Sequence, residues 1–128
     1  MLFKAVIVAS IVCAGLGVSA ARADECVDAK NAQRIHGQNS DRAVKRAQAK
    51  IDAIKCCSPA YFQAGCEYQK LFVEQTQLDL PHMENVSKAC DKRELSNVSR
   101  RQYEEFLADM KQKQAADCEA AENSSKRQ

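Results

Sequence analysis

Six cysteines constrain this chain more than any other feature: Cys26, Cys56, Cys57, Cys66, Cys90 and Cys118. A seventh, Cys13, sits inside an uncharged apolar run, Ala5 to Gly17, that follows Lys4 and precedes Ala21-Arg22-Ala23. A short positive start, an apolar stretch and a small-x-small ending read as a secretory signal peptide over residues 1–23, cleaved before Asp24. The run is short for a membrane span, which needs ~20 residues, so no stable membrane insertion is expected after cleavage. Loss of the leader takes Cys13 with it. An even number of cysteines in a short exported chain then reads as three disulfides.

Cleavage takes 23 of 128 residues and leaves 105, enough for one modest hydrophobic core. It also removes Lys4 and Arg22 but no acid, so 17 basic residues balance 17 acidic ones. A neutral mature surface argues against nucleic acid and anionic membrane as main partners, since both reward a basic excess.

Almost everything after residue 24 reads as helix, because Ala, Gln, Lys and Glu dominate and no period-2 run of β-branched residues occurs. The expected fold is all-α, a small bundle of four to five helices stapled by three disulfides. The stapled domain spans residues 24–121, and residues 122–128 form a polar flexible tail. A first helix runs from about Glu25 to His36, stopped by Gly37. A second runs from about Asp41 to Cys57, with Val44, Ala47, Ile51 and Ile54 on one face. Ser58-Pro59 caps a third, which runs to about Asp79 and carries Tyr61, Phe62, Ala64, Cys66, Tyr68, Leu71, Phe72 and Val73. So wide an apolar arc predicts the most buried helix of the domain. Pro81 starts a fourth, to about Arg93. A fifth runs from about Arg100 to Ala121 behind a Ser96 or Ser99 cap, with Tyr103, Phe106, Leu107, Met110 and Gln114 buried.

Antiparallel hairpins of such helices suggest a pairing. A turn at Gly37 brings Cys26 to Cys56 or Cys57. A turn at Pro81 brings Cys66 to Cys90. The free member of the double cysteine then holds Cys118. Cys56 and Cys57 are not expected to bond each other, because ordinary disulfides want Cα atoms ~5.5–6 Å apart.

Catalytic signatures are missing. His36 and His82 lack H-x3-H or H-E-x-x-H partners, and no phosphate loop or G-x-S-x-G occurs. The double cysteine does not open the C-C-x-x-H-x-x-C pattern of secreted phospholipases, since Ala60 stands at the histidine position and Gln63 at the last cysteine. No catalytic residue, metal or cofactor is expected. Two functions fit. One is a secreted or periplasmic, non-enzymatic module that binds another protein, as effectors, inhibitors and accessory proteins do. The other is a carrier of a small apolar ligand or lipid, held in a cavity lined by Tyr61, Phe62, Tyr68 and Phe72. Three N-x-S sequons, at Asn85, Asn97 and Asn123, are acceptors if the secretory pathway is eukaryotic.

Overall fold

The computed structural model describes the backbone of residues 2–127 and the side chains of residues 23–127. Three long helices, α1 (Leu2–Asp52), α2 (Pro59–Val86) and α3 (Asn97–Lys126), run antiparallel in chain order. A five-residue π-helical segment, Ser87–Asp91, closes α2. The described residues contain no strand. The fold is therefore all-α and disulfide-stapled, with three helices where four to five shorter ones were expected. The expected leader falls almost wholly on residues whose side chains lie outside those described, as does Cys13.

Two expected breaks are absent, for the same physical reason. Gly37 stops a helix by taking positive φ, and no glycine here does so. His36 and Ser40 flank it on α1, and both are tied to α2. His36 Nε2 lies 2.7 Å from Asp79 Oδ1, and Ser40 Oγ donates to Gln75 Oε1 at 2.7 Å. These ties outweigh the ~1 kcal/mol that a helical glycine costs. Pro81 lies inside α2. It removes one helical hydrogen bond and crowds the carbonyl four residues back, at a cost of ~3 kcal/mol. Packing from both neighbours holds the helix through it. On the α1 side the His36 and His82 rings stack at 4.7 Å. On the α3 side Tyr103 Oη donates to the Thr76 carbonyl at 2.8 Å, and Arg100 pairs with Glu84 at 3.0 Å.

The local signals at the other helix ends act as their chemistry dictates. Ser58 caps α2, its Oγ accepting from the Tyr61 amide at 3.3 Å, with Pro59 as first helical residue. Ser96 caps α3 by accepting from the Ser99 amide at 3.1 Å. The stretch expected as a loose tail is helical as far as Lys126; it continues from the buried Ala121, and Lys126 pairs with Glu122 one turn back at 2.6 Å.

Helix length also decides the disulfides. In an unbroken α1, Cys26 lies about 40 Å from the Cys56 corner at 1.5 Å per residue. The antiparallel α2 brings its far end alongside instead, and Cys26 bonds Cys90 with Cα atoms 4.6 Å apart. The wider π turn carries Cys90 and ends at Lys92, whose φ is 53°. By the same logic α3 returns along α2 and Cys118 bonds Cys66, at 4.5 Å. Cys56 and Cys57, on the exposed corner between α1 and α2, are left to each other and form a vicinal disulfide. This corrects the expected Cys66–Cys90 pairing and the expected bridges from Cys26 and Cys118 to the double cysteine.

The core is thin. Cys66, Val73 and Ala121 are the buried apolar residues among those described, and none of the large side chains is fully enclosed. Phe106, expected in the core, is 46% exposed, and Leu78 is 48% exposed. The reason lies in the layout. α2 packs against both other helices, while no Cα of α1 comes within 8 Å of one in α3 among the described residues. The expectation that the segment around Tyr61 to Val73 is the most buried is met in this sense: α2 is the middle helix.

Candidate binding groove

Because the backbones of α1 and α3 stand apart on either side of α2, a groove runs between them with α2 as its floor. One end lies over the first three turns of α2 and forms a half-open cleft of about 330 Å³. The floor is Tyr61, Phe62, Gly65 and Tyr68. Tyr61, Gly65 and Tyr68 are spaced by about whole turns and share a face, and Phe62, next to Tyr61, borders it. α1 supplies Gln48 and Ile51 to one wall, and α3 supplies Asp117 and Ala120 to the other. Gln69 completes the rim.

Gly65 does not mark a close helix crossing. A Cβ placed on it meets nothing within 4 Å, so the glycine faces the open cleft. Tyr61 and Phe62 meet edge to face, with ring centroids 5.7 Å apart and planes at 82°. A hydrogen-bonded cap and a disulfide hold this geometry. The Ser58-Pro59 cap fixes the start of α2, and the Cys66–Cys118 bridge joins the residues next to Gly65 and Asp117. Asp117 makes no ion pair among the described residues, and no lysine or arginine lines the cleft.

Further along, a second cleft of about 340 Å³ opens over Phe72, Thr76 and Asp79, between Val44 of α1 and Phe106 of α3. Phe72 therefore leaves the other three aromatics grouped from sequence. It stacks on Tyr68 at 6.2 Å and meets Phe106 edge to face at 6.4 Å. Beyond it lies the polar knot of His36, Asp79 and His82. The His36 side chain is 11% exposed, and its Nε2 is occupied by Asp79. Next to the knot, Tyr103 is a weaker acid than an ordinary tyrosine, its pKa raised by burial and then by the Asp79 charge. The His36–Asp79 contact and the His36–His82 stack tie α1 to α2.

The three sequon asparagines, Asn85, Asn97 and Asn123, are all exposed. The Asn85 sequon is nonetheless locked at its serine, since Ser87 is buried and donates to the Arg93 carbonyl at 3.0 Å.

Sequence reasoning grouped the cleft aromatics but missed Gln48, Gln69 and Asp117. Asp117 had one legible signal, its place beside Cys118, and that signal meant nothing until Cys118 was known to pair with Cys66. No protein family, no curated protein and no solved structure matches the chain.

Proposed function

We propose that this protein is a non-enzymatic, extracytoplasmic binding module whose α1–α3 groove receives a segment of another protein. One observation carries the reading: the largest side chains of the middle helix, Tyr61, Phe62 and Tyr68, floor an open groove instead of a closed core. Apolar surface left between two helices of a bundle is the usual form of a helix-in-groove or peptide-binding face. The disulfides make that face rigid before binding, so little order is lost when a partner arrives. They also suit an oxidising compartment, secreted or periplasmic. Among the described residues no helix is long and apolar enough to cross a membrane.

The same three aromatics favour a second reading, a carrier of a small apolar ligand. The half-open shape and the polar Gln48, Gln69 and Asp117 fit that role less well, since carriers of apolar molecules enclose them.

The test is capture from native extracytoplasmic fluid on immobilised oxidised protein, beside Gly65→Trp, which fills the cleft, and Lys111→Glu, an exposed α3 residue that does not line it. A partner retained by the wild type and Lys111→Glu, and lost by Gly65→Trp, supports the module. Equal retention by all three overturns the groove as the binding face. An apolar molecule found by native mass spectrometry on the wild type and absent from Gly65→Trp moves the function to the carrier.

A further inference from the structure

The cleft over Gly65 has a composition that selects for charge as well as shape. Its floor is aromatic, its one charged lining group is the Asp117 carboxylate, and no cation among the described residues pairs with that carboxylate. Aromatic faces carry negative potential and attract ammonium groups within ~6 Å of the ring centroid. A carboxylate on the facing wall adds a full opposite charge. The edge-to-face pair Tyr61–Phe62 forms a corner, so an occupant of the cleft can meet one ring face and the next ring together. Gln48 and Gln69 at the rim offer amide oxygens to any N–H that remains.

We propose that this cleft is a recognition pocket for an alkylammonium group. Gly65 is part of the device. A helical glycine costs stability, and here nothing packs against it. Its missing side chain leaves depth for the ammonium head between Tyr68 and Asp117. The Cys66–Cys118 bridge then holds the two walls in register, since it joins the neighbours of Gly65 and Asp117. At about 330 Å³ the cleft lies at the small end of ligand sites and takes a headgroup or one long side chain. This deepens the binding-module reading by naming the anchor of the partner: a lysine side chain, whose chain leaves through the open side. A free quaternary amine shares the chemistry and is separated from it by experiment.

The oxidised protein is titrated with Nα-acetyl-lysine N-methylamide, with choline, and with 3,3-dimethylbutan-1-ol, the uncharged carbon isostere of choline. Amide chemical shifts report the site. The expected result is saturable shifts centred on Gly65, Tyr68 and Asp117 for the charged probes, with the neutral isostere about tenfold weaker or more. Asp117→Asn is expected to abolish that preference. A lysine probe tighter than choline assigns the anchor to a protein; the reverse assigns it to a free amine, and either order supports the pocket. Equal binding of the isostere, shifts centred elsewhere, or no saturable shift from any probe overturns it. If the probes fail while Gly65→Trp still abolishes capture, the pocket is refuted and the module reading stands. If the probes bind and no partner is captured, the converse holds.

Discussion

Removing the Cys66–Cys118 bridge should cost this protein most of its stability, whereas removing the Cys56–Cys57 bridge should cost little. The contrast follows from how much chain each bond closes. Cys66 and Cys118 are 52 residues apart, Cys26 and Cys90 are 64 apart, and Cys56 and Cys57 are adjacent. In the chain-entropy account each long bridge restrains the unfolded state by about 4 kcal/mol, and a bridge between neighbours by only about 0.6 kcal/mol. The two long loops interleave along the chain, so they share part of that entropy and do not add fully. Small domains have ~5–15 kcal/mol in total, and a core as thin as this one belongs at the low end. The comparison uses Cys66→Ala/Cys118→Ala beside Cys56→Ala/Cys57→Ala. Alanine is chosen because Cys66 is 4% exposed and a serine there would bury a hydroxyl. Urea unfolding is followed by far-UV circular dichroism. With a slope of ~1–3 kcal/mol per molar urea, the first variant should lose about 1.3–4 M from its midpoint or show no cooperative transition. The second should move by no more than about 0.6 M. The reasoning fails if the corner variant falls as far as the long-range one, or if the long-range variant keeps its midpoint.

Two further outcomes are expected. Lys92 holds φ at 53°, in the left-handed region that costs a side-chain-bearing residue ~1–2 kcal/mol, so Lys92→Gly should raise the urea midpoint; a lowered midpoint would show that the Lys92 side chain matters more than its backbone. Tyr103 ionises above its ordinary value of 10.0 because burial and then Asp79 oppose the phenolate. The neutral form is therefore the one the fold favours. Its contribution is complete below the unfolded value and is lost as pH rises through the folded one. Urea midpoints measured from pH 9 to 11.5 should fall with pH for the wild type and fall less for Tyr103→Phe. That variant should also lose ~1 kcal/mol at neutral pH, with the bond to the Thr76 carbonyl.

The places where sequence reasoning fell short have a common cause. Gly37 and Pro81 are helix breakers by intrinsic preference, and each was taken as a boundary. Both sit where side chains from neighbouring helices grip the turn on either side, through His36, Ser40 and Asp79 at one level and through Tyr103 and Arg100 at the other. Contacts between residues far apart in sequence, up to 43 positions for His36 and Asp79, overrode a local cost of a few kcal/mol. The pairing error followed directly, because antiparallel geometry was applied to helices half their real length. Local signals with no tertiary competitor were read correctly: Ser58 and Ser96 cap helices, and Pro59 begins one.

The sequence by itself determined that this is a small all-helical protein, that six cysteines make three bridges, and that Tyr61 and Tyr68 share a face with Phe62 on the stripe beside it. Composition, capping chemistry and a period of 3.6 residues suffice for that, since each acts within a few residues. Only the tertiary structure decided that α1 and α3 stand apart across α2, that the aromatics floor a cleft, and that Asp117 faces them. Those facts depend on Cys66 meeting Cys118, and a bond across 52 residues leaves no trace in local pattern.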